Sequence, residues 1–421
     1  MGAGPMTDIM QLALRAREAA RVLARTSTAV RDGALVAMAA ALCANSERIL
    51  AANALDMDAA RVAGTPAPLL DRLMLDADRI AGIANAVEAL SREVDPIGEV
   101  VSGHRMPNGI WLQQVRVPLG VVAMIYEARP NVTADAAALC IKTGNAAVLR
   151  GGSLAIHSCL AISDVLAEAA TRAGLPENAI QSITSTDRAA TDELMSLHGL
   201  IDVLIPRGGA GLIRNCVENS KVPVIETGVG NCHIYVHADA DADMALRIVL
   251  NAKCQRPGVC NAAESLLVDE AVCETHLPPI LRALADAGVE IHADERTRSL
   301  GVVEVVPATE EDWGTEYLDL KMSVKVVAGL DEAIEHVNTY GTKHSEAIVT
   351  GDYEAARRFL DEIDAAAVYV NASTRFTDGG EFGLGAEIGI STQKLHARGP
   401  MGLVALTSTK YLAMGDGQVR S

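Results

Sequence analysis

From Thr7 to about Leu90 the chain is rich in alanine, with leucine, valine and isoleucine recurring at three- and four-residue steps. That spacing predicts amphipathic helices over Gln11 to Arg25, Thr28 to Asn53 and Asp71 to Ser91, divided by Gly64-Thr-Pro-Ala-Pro68. The texture changes at Gly103 to Pro118, where Asn108-Gly109 lies between strand-forming residues and predicts a hairpin. A two-stranded ribbon is marginal alone in water, so it is expected to pack on another domain or subunit. From Leu119 to Thr227 apolar strands (Gly120 to Tyr126, Asn145 to Arg150, Ile180 to Thr184, Asp202 to Pro206, Val222 to Glu226) accompany helices over Asn131 to Thr143 and Leu154 to Ala173. A second alternating region follows. Its strands are His233 to His237, Glu264 to Val268, Val302 to Val306, Val324 to Val327, Ala347 to Thr350 and Ala366 to Asn371. Its helices precede Cys254 and cover Pro278 to Ala287, Leu330 to Asn338 and Tyr353 to Ile363. Apolar strands alternating with helices predict parallel, doubly wound sheets. Leu403 to Tyr411 reads as a last strand, long enough to join the ribbon.

Length and charge narrow the class. A chain of 421 residues exceeds one compact core. Its formal charge of −18 argues against nucleic acid and anionic membrane surfaces, so an anionic substrate needs a locally basic pocket. No run of eighteen apolar residues predicts a membrane span. The start lacks a basic segment followed by an apolar one, and Met6 stands where a myristoylation motif wants Ser or Thr. The 8 cysteines show no Cys-x-x-Cys spacing, so they are expected as reduced thiols without a structural metal site, in the cytoplasm.

Asn251-Ala-Lys-Cys-Gln-Arg-Pro-Gly-Val-Cys-Asn-Ala262 carries the sharpest candidate chemistry. Pro257-Gly258 ends a helical pattern, and Cys260 then stands between that helix end and a strand. Lys253 and Arg256 are placed to raise its thiolate fraction. The plain alternative is a small packed thiol. Cys254, inside the helical pattern, reads as packing. The turns Arg150-Gly151-Gly152-Ser153 and Arg207-Gly208-Gly209 follow strands and open helices, as phosphate-binding turns do, and Ser153 could cap its helix. Each is equally compatible with a tight turn. Two on one sheet, each beside an arginine, favour a nucleotide, and Arg150 suits a 2′-phosphate. After the first strand, Arg129 could grip a carboxylate or phosphate and Asn131 could donate to an oxyanion, against the alternative of a surface turn. Glu226 ends a strand beside glycines. His233 reads as a packed or hydrogen-bonded histidine. Thr342 to Glu346 and Asp378 to Thr392 read as polar, site-lining loops rather than core.

Four long segments in order, Val117 to Thr133, Asn251 to Asn261, Val337 to Ile348 and Asn371 to Thr392, resemble the aldehyde dehydrogenase superfamily, in its branch that reduces acyl phosphates. The resemblance covers nearly the whole chain. It implies NADPH-dependent reduction of L-glutamate 5-phosphate to L-glutamate 5-semialdehyde and phosphate, in L-proline biosynthesis. Cys260 matches the nucleophile that forms a thioester, and Asn131 with the Cys260 N–H matches an oxyanion hole. Arg150 stands where many relatives have a lysine at the adenosine end. Gly151, Gly152, Ser153, Gly208 and Gly209 would contact the cofactor. Glu226 falls where hydrolytic relatives activate water, a role this reaction does not need, and is expected near the nicotinamide. Glu316 resembles the glutamate that holds the nicotinamide ribose, although the Gly-Pro that follows it elsewhere is absent here. Arg129 and Arg256 are the candidate substrate ligands.

The implied architecture is two doubly wound parallel-sheet domains with a small β oligomerisation ribbon. Residues 1–100 and 119–228 form an NADP-binding domain, 229–398 a catalytic domain, and 101–118 with 399–421 the ribbon and tail. A homodimer or homotetramer follows, as does functional coupling to glutamate 5-kinase. The rival readings are an aldehyde oxidiser that hydrolyses its thioester or passes the acyl group to coenzyme A, a phosphotransferase, and a catalytically silent scaffold. Neither glycine turn carries the Lys-Ser/Thr that a phosphotransferase of the Walker type needs.

Overall fold

A computed structural model of the chain describes residues 7–420; the readings placed on residues 1–6 lie outside them. The described residues form two compact units. One runs through Glu226 and includes Leu384–Gly389 and the segment from Met401 onward; the other holds Thr227–Gly383 and Ile390–Pro400.

In the first unit the alanine-rich prelude folds as helices α1 (Asp8–Leu23), α2 (Thr28–Ala44), α3 (Ser46–Val62), α4 (Ala67–Leu73) and α5 (Ala77–Leu90). The pattern over Thr28 to Asn53 predicted one helix. Two form instead, bent by 66°. The break is Asn45, whose side chain donates to the Ala41 carbonyl at 2.8 Å and so competes with the helical ladder. A hairpin, β1 (Val100–Arg105) and β2 (Trp111–Pro118), comes next. Its turn departs from the expected Asn-Gly pair. Gly109 N–H donates to the Met106 carbonyl, so Pro107 and Asn108 are the central residues and Gly109 follows with φ 92°. Proline pre-sets the backbone of the first central position, and glycine supplies the left-handed residue that closes the loop.

The sheet that follows alternates strand and helix: β3 (Val121–Tyr126), α6 (Pro130–Lys142), β4 (Ala146–Gly151), α7 (Ile156–Arg172), β5 (Ile180–Ser182), α8 (Arg188–Ser196), β6 (Val203–Arg207) and α9 (Ala210–Asn219). Strand order is β5-β4-β3-β6, all parallel. Every residue of β3 is buried, as its unbroken apolar run required of a central strand. Helix α6 is apolar nearly all round, which places it inside the unit, with eleven of its residues buried. With the short turn before it, α7 is the one described helix long and apolar enough to cross a membrane, and half of that stretch is buried within the structure. Val222 to Glu226 is not a strand. Pro223 has no N–H to give, and the segment makes a single bridge between Val224 and Leu204. The terminal strand is Thr407–Met414, four residues later than expected because Leu403–Leu406 coils into a short helical turn. It pairs with β2 along its whole length, giving a three-stranded ribbon.

The second unit is built on strands β7 (Cys232–Val236), β8 (Ala263–Asp269), β9 (Glu290–Ala293), β10 (Val306–Pro307), β11 (Lys321–Val327), β12 (Ser345–Val349) and β13 (Ala367–Val370). They are parallel, in the order β10-β9-β11-β8-β7-β12-β13. Helices Ala242–Cys254 and Cys273–Asp286 pack on one face of this sheet, and Leu330–Tyr340 with Tyr353–Glu362 on the other. The second of these begins at Cys273, one turn before the expected Pro278. The apolar run Val302 to Val306 predicted a full strand, but only Val306 and Pro307 pair, while the unpredicted Glu290–Ala293 takes a sheet position beside β11.

Candidate active site

Cys260 lies in the loop between helix Ala242–Cys254 and β8, at the amino end of that strand, and is partly exposed. The loop is fixed from both sides. Cys232 Sγ donates to the Cys260 carbonyl at 3.2 Å. Gly230 packs so closely that a Cβ there would overlap that carbonyl and stand 2.7 Å from the Cys260 Cα. On the other side Asn261 Nδ2 donates to the Thr377 carbonyl at 2.9 Å and the Asn261 carbonyl accepts from Thr374 Oγ1 at 2.8 Å. The sulfur is therefore reachable while its backbone is held. Cys254 packs partly against the apolar core, and burial pushes its thiol up. Burial also raises the Cys232 thiol well above its ordinary value, with the Glu346 charge adding to it.

Lys253 is paired within the second unit. Its Nζ forms an ion pair at 2.6 Å with Glu264 Oε2, and both side chains are 0% exposed. Burial draws the lysine down, with Glu264 opposing, and the further positive influence it exerts on a thiol falls on Cys254. Burial pushes the Glu264 carboxyl up to about 7 against the pull of Lys253. A cation within electrostatic reach of Cys260 is Arg375, which sequence reasoning missed. Its Nε donates to Gln255 Oε1 at 2.8 Å, and burial lowers its pKa, with the neighbouring Arg256 adding to that. Arg256 itself is exposed. The only signal for Arg375 was its place in the diagnostic segment Asn371 to Thr392.

Glu316 is brought to the same locus: its Oε1 accepts from the Gly230 N–H at 2.7 Å. The neighbouring Asn231, fully buried, donates from Nδ2 to the carbonyls of Trp313 at 2.8 Å and Tyr340 at 2.9 Å, and its N–H reaches Thr342 Oγ1 at 3.0 Å. Thr342 to Glu346 is not a loose polar loop. His344, Ser345 and Glu346 are buried, and Glu346 accepts from the His233 N–H at 2.7 Å and pairs with His233 Nδ1 at 3.0 Å. His233 is thus the hydrogen-bonded core histidine it read as.

In the first unit the glycine turns lie at the carboxyl ends of β4 and β6. Gly209 N–H donates at 3.0 Å to Glu127 Oε2, and a side chain at Gly208 would crowd the same carboxylate. Gly151 gives room to Cys159 of α7. Ser153 does not cap α7. Asp56 does so instead, accepting from the N–H groups of His157 at 3.1 Å and Ser158 at 2.7 Å. Arg150 Nη2 donates to the Thr186 carbonyl at 2.7 Å, its Nε is buried without a partner, and Glu127 opposes the lowering of its pKa by burial. A turn amide that already holds an anionic oxygen, beside a guanidinium with an unmet donor, fits the phosphate groups of a nicotinamide nucleotide. Glu226 is half-buried.

Arg129 and Asn131 come together at the start of α6, after Ala128, which has φ 42°. Asn131 Nδ2 donates to Asp135 Oδ2 at 3.1 Å. Burial raises the Asp135 carboxyl from 3.8 to about 6, with Asn131 and Arg207 pulling the other way. These residues line a cavity of about 170 Å³ with Glu387 and Ile388.

A model described as "Aldehyde dehydrogenase family" matches residues 3–308. A gamma-glutamyl phosphate reductase of Moorella thermoacetica is 60% identical over 406 residues, 96% of this chain and 97% of that protein. One from Carboxydothermus hydrogenoformans is 56% identical over 415 residues, 99% of this chain and all of the relative. The crystal structure of the gamma-glutamyl phosphate reductase of Thermotoga maritima superposes with a TM-score of 0.96 at 47% identity, covering 99% of this chain and all of that one. The chain belongs to the aldehyde dehydrogenase family, and within it to the gamma-glutamyl phosphate reductases. It is an oxidoreductase with the aldehyde-dehydrogenase-like α/β fold.

Proposed function

We propose that this enzyme reduces L-glutamate 5-phosphate to L-glutamate 5-semialdehyde with NADPH, through a thioester on Cys260, in L-proline biosynthesis. The observation that carries the mechanism is the partly exposed Cys260 on a pinned loop with Arg375 in electrostatic reach. Its thiolate attacks the acyl carbon, the C–O bond to phosphate breaks, and the leaving phosphate takes a proton from solvent. When bound, NADPH would supply the hydride that reduces the thioester carbon. The resulting oxyanion collapses, the C–S bond breaks, and aldehyde and thiolate separate. The Cys260 N–H and Asn131 are the oxyanion donors. Arg150, Gly151, Gly152, Ser153, Gly208, Gly209, Glu226 and Glu316 would hold the nucleotide, with Glu127 leaving Gly209 as a phosphate arrives. Arg129 and Arg256 meet the substrate. Arg150 favours NADP over NAD through the 2′-phosphate.

The ribbon supports a homodimer or homotetramer, because Val100, Trp111, Tyr411, Leu412 and Met414 are exposed on it. An acyl phosphate must come from a kinase, which supports coupling to glutamate 5-kinase, and the eight free cysteines suit the reducing cytoplasm. The test is NADP reduction by purified protein given glutamate semialdehyde, with and without phosphate. Phosphate-dependent turnover lost in Cys260→Ala is expected. Turnover without phosphate points to a hydrolytic dehydrogenase with Glu226 as base, and an active Cys260→Ala overturns the nucleophile.

A further inference from the structure

The cavity in the first unit is lined by three charged residues, Asp135, Arg207 and Glu387, to which the chemistry proposed above gives no role. It opens at the carboxyl ends of β3 and β6, where the strand order reverses from β5-β4-β3 to β6, the place in a parallel sheet where ligands bind. Two guanidinium groups, Arg129 and Arg207, face it together with two carboxyl groups, Asp135 and Glu387, and the Asn131 amide. The segment that brings Glu387 is fixed by two backbone bonds, Ile388 N–H to the Met401 carbonyl at 2.9 Å and Met401 N–H to the Gly389 carbonyl at 2.7 Å. Asp135 is steadied by Asn131 one helical turn before it.

At about 170 Å³ the cavity is smaller than the roughly 300–1,000 Å³ of sites that enclose a whole ligand, so it takes one end of a molecule. Charge decides which end. A phosphate dianion would meet two carboxylates as well as two arginines, and the like charges would repel it. A head group carrying one positive and one negative charge matches both signs of the lining. We infer that this cavity is the subsite for the α-amino-acid end of the substrate, with Arg129 and Arg207 on its carboxylate and Asp135 and Glu387 on its ammonium. The assignment rests on the substrate proposed above. Burial that holds the Asp135 carboxyl up near 6 is the cost that a bound cation would offset.

The subsite has a chemical consequence. The free α-amine of this substrate can reach its own C5 in a five-membered ring. Attack on the acyl phosphate would expel phosphate and give a lactam; attack on the aldehyde would give a cyclic imine and water. Both need the neutral amine. Two carboxylates around the nitrogen keep its proton in place and its lone pair unavailable.

The test compares three aldehydes in the phosphate-dependent oxidation of full-length protein: glutamate semialdehyde, 5-oxopentanoate without the amine, and 4-aminobutanal without the carboxylate. Wild type is expected to prefer glutamate semialdehyde over 5-oxopentanoate in kcat/KM by on the order of 10²-fold or more. Asp135→Asn and Glu387→Gln should each bring that ratio below about tenfold, and Arg207→Gln should do the same against 4-aminobutanal. Ratios unchanged in all three variants, with wild type active, overturn the subsite and leave the reaction standing. A wild type inactive on every aldehyde overturns the reaction itself. Where a variant loses turnover, alkylation of Cys260 gives a second reading: glutamate should slow it in wild type but not in Asp135→Asn, and equal protection in both refutes the assignment.

Discussion

Gly230→Ala is a one-carbon change whose effect follows from a single close approach. The glycine has no left-handed φ to protect, so space alone decides its identity. A Cβ there would overlap the Cys260 carbonyl and stand 2.7 Å from the Cys260 Cα, where ordinary contacts begin at 3.4 Å. The Cα must therefore retreat by about 0.3–0.7 Å, and the carbonyl by more, against the bonds that Asn261 makes to the Arg375–Thr377 turn. Displacing a nucleophile by about 1 Å costs on the order of 10²-fold in rate, or about 2.7 kcal/mol of barrier. The same shift disturbs the Gly230 N–H that Glu316 accepts, so the KM for NADP should rise together with the fall in kcat. The assay is phosphate-dependent NADP reduction, with iodoacetamide alkylation of Cys260 as an independent report on the loop and thermal unfolding as a control for folding. A variant that keeps kcat within threefold and alkylates at the wild-type rate would falsify the argument that this packing sets the nucleophile.

Other outcomes follow from buried polar groups. Lys253→Met leaves Glu264 without its partner at 0% exposure and should cost about 3–5 kcal/mol in denaturant unfolding, and Glu264→Gln, which leaves the buried ammonium unpaired, should cost a similar amount; a loss under 1 kcal/mol for Lys253→Met would mean that water reaches the pair. Asn231→Ala removes donors to two carbonyls and should cost about 1–3 kcal/mol, with a weaker apparent affinity for NADP because the turn carrying Glu316 loosens. Asp135 predicts a pH dependence. Its carboxyl is raised from 3.8 to about 6, so between those values the folded protein keeps a proton that the unfolded chain has lost, and stability falls as pH rises from about 4 to about 6. The groups facing it are Asn131, Arg129, Arg207 and Glu387. Unfolding free energies of wild type and Asp135→Asn should converge toward low pH and separate by about 3 kcal/mol by pH 6 to 7, in favour of the variant; parallel curves would show that the group titrates normally.

The elements that could be read from the chain are those whose burial is written in consecutive residues. Val121–Tyr126 is apolar throughout because both faces of the strand are covered, and no competing pattern exists. The errors fall where the deciding interaction is not periodic. Apolar spacing runs straight through Asn45, and only its side-chain bond to Ala41 shows that one helix is two. Val302 to Val306 has the composition of a strand, yet Glu290–Ala293, with two polar residues, takes the place beside β11, and only Val306–Pro307 pairs outside it, at the edge.

The site was legible in proportion to how local its signals are. Arg129 and Asn131 follow a strand in a parallel sheet, so the rule that ligands gather at carboxyl ends found the cavity they line. That rule does not find Cys260, which precedes β8 and shares its surroundings with Gly230, before β7, at the amino ends of the strands. The break at Pro257-Gly258 marked the loop, but nothing near it in the chain marks what holds it. Arg375 reaches Gln255 across 120 positions, and Asn261 meets the Thr377 carbonyl across 116. Lys253, close in sequence, is paired with Glu264, and the distant Arg375 is coupled electrostatically to the sulfur. The pairing of Lys253 has a physical reason. A lysine on the buried face of a helix must pair to stay inside, and a lysine so paired has little field left for a neighbour in water's reach.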